Sequence, residues 1–337
     1  MIENNKKAPL AFILCIILTV GSLSFGGCKK APSPVTKTGV YFDTVISITL
    51  YEAGSSELID ECFAMADNYD NLLSKTNNSS DVSKVNNSYM EWIQIDPETF
   101  SIIENSIKYE DLSEGHFSVM CGALTDLWDI SAAIVPAKED IGKAIDLCGK
   151  DTIDLDASVC SVRINTPGAK LDLGAVAKGY IADKMKEYLI SKGVTSGIIQ
   201  LGGNVLLIGE NPLREDGYYN IGITKPFSDD NSSDNIITGV SEKDTSIVTS
   251  GNYQRYFEYD GKVYHHIIDL KTGYPADTGL NSVTIITDTS YDADALSTVC
   301  FLFGKEKGAK LIDSLNASES YGISALFVDS NNQVVNY

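Results

Sequence analysis

Between residues 197 and 287 the chain is a succession of short runs rich in Val, Ile, Thr and Tyr, cut by glycine-containing turns. They lie at 197–201, 205–208, 219–223, 236–240, 246–249, 253–259, 262–269 and 282–287. Runs of this length and composition, separated by turn residues, read as strands joined by hairpins. Helical periodicity appears only at the flanks, at 175–191, 293–303 and 305–315. Clustered strands with helices set apart predict an α+β fold with mixed or antiparallel sheets, and no repeat of fixed period is visible.

The first half is less regular. A β-branched run at 45–51 reads as a strand. A helix follows at 56–73, with apolar residues at Leu58, Ile59, Phe63, Ala66, Tyr69 and Leu73. The polar stretch 74–87 reads as a loop with a short helical turn. Helices are expected at 97–113 and 140–147, and a hairpin at 152–164.

Ahead of the folded part stand Lys6 and Lys7, an apolar run from Leu10 to Val20, and the small residues Gly26-Gly27 before Cys28. Basic start, short apolar middle and small residues are the parts of an export signal, and the run is too short for a comfortable membrane span. Gly-Gly-Cys predicts diacylation of Cys28 followed by cleavage before it, placing the protein on the extracytoplasmic face of the cell membrane. Residues 28–39, with Pro32, Pro34 and several Lys, read as a tether, so the folded domain is expected over 40–337, as one unit or two close lobes.

The net charge of −20 excludes nucleic acid as a partner, because no basic cluster with interleaved aromatics offsets it. It also means that a polyanionic substrate needs a local cation. Past Cys28 the cysteines are Cys62, Cys121, Cys148, Cys160 and Cys300, without a CxxC pair or zinc spacing; they read as core residues or as one or two disulfides.

Three segments carry chemistry. Leu171-Asp172-Leu173-Gly174 leads into the helix bearing Lys178, and a helix start offers free N–H groups and a positive dipole end to a phosphate. Asp294 and Thr298 stand one helical turn apart on one face, a hard-oxygen pair suited to Mg²⁺, although Asp292 or Asp294 could equally cap the helix. His265 and His266 are adjacent on a predicted strand, which sends their rings to opposite faces, so one at most enters a site. The Asp269–Pro275 turn could hold adenine or ribose, or be only a turn.

Taken in order, Leu-Asp-Leu-Gly-x-x-x-Lys-Gly from Leu171, Leu201-Gly-Gly-Asn204, Thr249-Ser-Gly251, His265-His-Ile-x-Asp-x-x-Thr-Gly273 and Asp294-Ala-Leu-x-Thr298 resemble the FAD:protein FMN transferase (ApbE) family. The likeness runs from Phe42 onward, more loosely in the first half. It implies Mg²⁺-dependent transfer of FMN from FAD to a Thr or Ser hydroxyl of an extracytoplasmic acceptor protein, with AMP leaving. By the same resemblance Phe42, Thr76, Phe117, Ser118, Val119, Asp172, Lys178 and Ile268 would contact FAD. Ala175, Asp294 and Thr298 would hold the metal, and His266, less readily Asp294, would be the base. Lys75, Thr76 and Asn77 stand where the family usually has an aromatic residue, and Phe117-Ser118-Val119 stands for Phe-Asp-Pro. The alternatives are an FAD pyrophosphatase, in which water replaces the acceptor, and a lipoprotein that only binds flavin.

Overall fold

In the computed structural model the described residues are 33–42, 44–52, 54–228, 235–319 and 322–337. The expected export signal, Cys28 and the start of the expected tether lie outside them. At the centre is an eight-stranded sheet, antiparallel throughout. Its strands run in the order Val35–Tyr41, Thr44–Leu50, Ser196–Leu201, Asn204–Gly209, Ser246–Gly251, Leu280–Thr287, Ser324–Asp329 and Val334–Asn336.

Both faces of this sheet are covered, and strand alternation divides the core accordingly. Ile199, Leu206, Val248, Val283 and Ile285 point into the larger core beneath the helices. Their neighbours Ile198, Val205, Leu207, Ile247 and Ile286 point the other way, onto the hairpin of Tyr219–Thr224 and Ile236–Glu242. Double burial explains why these strands read as continuous apolar runs.

The helical layer contains Ser56–Leu73, Ala177–Ser191 and Ser290–Glu319. In the second of these, Ala177, Ile181, Met185 and Leu189 form a buried stripe four residues apart. It ends in a glycine turn: Gly193 sits at φ +85° and the Val194 N–H closes onto the Leu189 carbonyl at 3.0 Å. The third is broken at Gly304 (φ 73°, ψ 174°), matching the two helices expected there. A smaller core of Leu124, Trp128, Ile141, Ala144, Ile268 and Leu270 closes the other side of the candidate site.

Two expectations change. Folded structure begins earlier than residue 40, because Val35–Tyr41 pairs along its whole length with Thr44–Leu50. Its alternation of half-buried and exposed residues suits an edge strand, and Lys37 fastens it to Asp60 at 2.6 Å; the flanking prolines and lysines obscured that pattern. The run expected at 262–269 is two strands, Lys262–His265 and Ile268–Asp269, the latter paired with Tyr274–Pro275. The short helix Gly122–Trp128 had no counterpart in the sequence reading. All five described cysteines are free thiols. Among the described residues no helix is long and apolar enough to cross a membrane.

Candidate active site

A cavity of about 550 Å³ lies between the central sheet, the helical layer and the smaller core. That volume is within the range of small-molecule sites. Its wall is assembled from the Lys75–Thr76 loop, the 117–131 segment, the Gly174–Lys178 turn, strand ends at Asn204 and Ser250, the 266–270 segment, and the helix bearing Asp294 and Thr298.

Asp294 is only 3% exposed. Its Oδ2 accepts the Gly179 N–H at 2.9 Å, and its Oδ1 stands 3.5 Å from Lys178 Nζ. Burial raises its pKa, a rise that Lys178, the Gly179 amide and Asn204 oppose. Gly179 is the third residue of its helix, so its N–H has no partner within the helix, and Asp294 takes it. The Thr298 hydroxyl is 3.2 Å from Ser250 Oγ, itself 2.7 Å from Ser297 Oγ. Asp292 faces elsewhere, bonded by Tyr109, by Lys108 at 3.1 Å and by Thr289 at 2.7 Å. The two carboxylates are thus separated into a peripheral one and one in the cavity.

Asp172 also lines the cavity. Its Oδ1 accepts the Gly174 N–H at 3.0 Å, and its Oδ2 accepts the Thr125 hydroxyl at 2.7 Å and pairs with Lys75 Nζ at 2.9 Å. Burial works to raise its pKa, but Lys75 and these hydrogen bonds hold it below the usual carboxylate value. Lys75 also bridges to Asp126 at 2.9 Å, and Asp126 to Lys170 at 2.7 Å. This ion network was not anticipated from the sequence. Its members lie far apart in the chain, and only the fold makes them neighbours.

The histidine pair divides at a strand end: Lys262–His265 stops at His265, and His266 lies in the bend beyond it. His265 is 3% exposed, its Nε2 at 2.9 Å from the Ala276 carbonyl and its ring edge-on to Phe301. His266 lines the cavity, with Nδ1 3.3 Å from the Arg255 carbonyl. A proton on Nδ1 serves that bond and leaves Nε2 as the acceptor. Burial, then the charge of Arg255, pushes the His266 pKa well below the ordinary histidine value.

The chain matches the ApbE family over residues 42–322. It belongs to the ApbE family. Among its ApbE relatives it is 34% identical to the FAD:protein FMN transferase of Klebsiella pneumoniae, over 88% of this chain and 90% of that one. It is 31% identical to the FAD:protein FMN transferase of Treponema pallidum, over 95% and 90%. The fold agrees: the ApbE protein of Thermotoga maritima superposes with a TM-score of 0.81 at 30% identity, covering 90% of this chain and 96% of that one. The flavin transferase ApbE of Vibrio cholerae gives 0.75 at 25% identity, over 90% and 96%.

Of the residues singled out by the ApbE resemblance, Thr76, Phe117, Ser118, Asp172, Ala175, Lys178, His266, Ile268, Asp294 and Thr298 line one cavity. Two others stand off its wall. Val119 is buried, and its carbonyl holds the Asp172 N–H at 2.8 Å; Phe42 packs against the main core at φ +53°. The Asp269–Pro275 turn is built for packing. Gly273 is at φ +72°, a Cβ there would lie 2.4 Å from Ile141, and its carbonyl accepts the Trp128 indole N–H at 2.7 Å.

Proposed function

We propose that this ApbE-family protein moves FMN from FAD to a Thr or Ser hydroxyl of an acceptor protein, releasing AMP. The observation that carries this reading is convergence: Asp172, Lys178, His266, Asp294 and Thr298, spread over more than a hundred residues, face one cavity.

The oxygens on that wall fit Mg²⁺. Asp294 Oδ1, the Thr298 hydroxyl and the Ala175 carbonyl are hard donors, and a single carboxylate leaves positions for substrate phosphates and water. Among the described residues no cluster of three or more His, Cys, Asp or Glu competes for the ion. When bound, Mg²⁺ would neutralise diphosphate charge in a strongly acidic protein. The chain's own residues do the rest. Lys178 presents its ammonium beside Asp294, Asp172 offers a fixed carboxylate to polar groups of FAD, and neutral His266 accepts the acceptor's hydroxyl proton at Nε2.

We extend the reading to location: diacylation of Cys28 would hold the enzyme on the outer face of the cell membrane, facing an extracytoplasmic acceptor. Cys28→Ser should move the protein from the membrane to the soluble fraction of fractionated cells; unchanged partitioning would refute the anchor.

The central test is intact-mass spectrometry of a Thr-containing acceptor domain incubated with the protein, FAD and Mg²⁺, beside Asp294→Ala. A single FMN added, dependent on metal and absent with the variant, is expected. AMP and free FMN with an unmodified acceptor would assign a pyrophosphatase, and intact bound FAD a carrier.

A further inference from the structure

Three side-chain cations line the cavity, and two are already engaged. Lys75 is held between Asp126 and Asp172, and Lys178 lies between Asp294 Oδ1 and the Gly174 carbonyl, 3.0 Å away. The third, Arg255, has no ion pair and no side-chain hydrogen bond among the described residues, in a chain whose net charge is −20. Arg255 is exposed to solvent and lines the cavity, so its guanidinium is free to meet an anion that enters.

The backbone of Arg255 is held beside His266 by hydrogen bonds. Its carbonyl accepts the His266 N–H at 3.2 Å and faces His266 Nδ1 at 3.3 Å. The preceding Gln254 is tied through Nε2 to the Thr249 carbonyl at 3.0 Å, and the Asn252 N–H to the Asn281 carbonyl at 3.0 Å. Arg255 and the candidate base are therefore held side by side, and the Arg255 charge is felt at the imidazole. A guanidinium presents a planar fork of donors that matches phosphate oxygens two at a time.

We propose that Arg255 is a catalytic residue that binds the diphosphate of FAD through the non-bridging oxygens of the phosphorus under attack. This rests on the transfer reading above. In the step, the acceptor's hydroxyl oxygen forms a bond to the FMN phosphorus and its proton passes to His266 Nε2. The bond from that phosphorus to the bridging oxygen breaks, and AMP leaves with the electron pair. Arg255 transfers no proton; it balances charge gathering on the equatorial oxygens.

The test uses full-length protein in detergent with Mg²⁺, comparing wild type, Arg255→Ala and Arg255→Lys. Binding of FAD and of riboflavin, which has no phosphate, is read from flavin fluorescence, and transfer by mass spectrometry. Charge-assisted hydrogen bonds of about 1.5–3 kcal/mol correspond to about 10- to 100-fold. Arg255→Ala should weaken FAD by that factor, leave riboflavin unchanged and lower kcat, with partial recovery in Arg255→Lys and on adding guanidinium ion to Arg255→Ala. Equal weakening of both ligands, or no change in either affinity and rate, would overturn the proposal. Wild type that binds FAD yet leaves the acceptor unmodified would defeat the transfer reading while the FAD-to-riboflavin ratio still judges Arg255. Wild type that binds no FAD would overturn both.

Discussion

The Gly179 amide donates to Asp294 Oδ2 across the contact between two helices, 2.9 Å away. The same residue has no room for a side chain: a Cβ on Gly179 would lie 2.3 Å from the Ser290 carbonyl oxygen. Close packing and placement of the candidate metal carboxylate are one feature. Gly179→Ala should therefore force the helices apart, costing about 1–3 kcal/mol, and weaken Mg²⁺-dependent FAD binding together with stability. Urea melts and fluorescence titration check this; lost stability with unchanged FAD affinity would show the two are uncoupled.

Asp294→Asn separates charge from shape. The amide oxygen can still accept the Gly179 N–H, so the fold should survive, whereas the anionic donor for Mg²⁺ is gone. Transfer is expected to drop at least about 100-fold, the scale seen when one electrostatic contact to a reacting centre is removed. Far-UV circular dichroism and a Mg²⁺ titration of the rate provide the comparison, and near-normal turnover would remove Asp294 from the metal site.

Burial and the neighbouring Arg255 keep His266 deprotonated to well below pH 6.5. A base is competent when unprotonated, so the acid limb of the kcat/KM profile, which reports the free enzyme, should fall below pH 6.5 with a flat region above it. An acid limb at or above 6.5 would point to a different base. His266→Gln should abolish the limb along with most of the rate.

Much of the fold was legible because double burial writes itself as apolar runs, and the amphipathic stripe at Ala177, Ile181, Met185 and Leu189 as a four-residue repeat. The ordered motifs likewise brought Asp172, Lys178, His266, Asp294 and Thr298 to one site. What escaped was set by tertiary contact. The Val35–Tyr41 strand is ordered by pairing rather than by composition, and Lys75 finds Asp172 and Asp126 across 97 and 51 positions of sequence. The bond from the Gly179 amide to Asp294 joins two of the motifs, and only the fold shows that they meet.

Lys75 offers a direct test of that hidden network. Lys75→Met keeps the stem and deletes the charge, leaving Asp172 to the effect of burial, which raises its pKa. Breaking a pair of this partly buried kind should cost about 1–3 kcal/mol. FAD affinity, expected to be pH-independent near neutrality in the wild type, should in the variant fall as pH is lowered and Asp172 takes up a proton. A parallel shift of affinity at all pH values would mean that Lys75 acts on the ligand directly and not through Asp172.

Asp183 lies outside the cavity and gives stability its own pH signature. Its carboxylate accepts the Ser290 and Tyr291 N–H groups, both at 2.8 Å, at the start of the helix that carries Asp294. Burial nevertheless outweighs these bonds and raises its pKa to about 6. The folded chain thus holds a proton that the unfolded chain releases near pH 4, so the contribution is fully present below about pH 4 and is lost as pH rises through about 6. The change across that window should be about 1–3 kcal/mol. Asp183→Asn cannot titrate and satisfies only one of the two amides, so it carries a constant penalty without the slope. Urea denaturation at intervals between pH 4 and 7 should show the variant closing on the wild type as pH rises. A constant gap would mean that Asp183 stays ionised in the folded protein and that its two amide bonds prevail over burial.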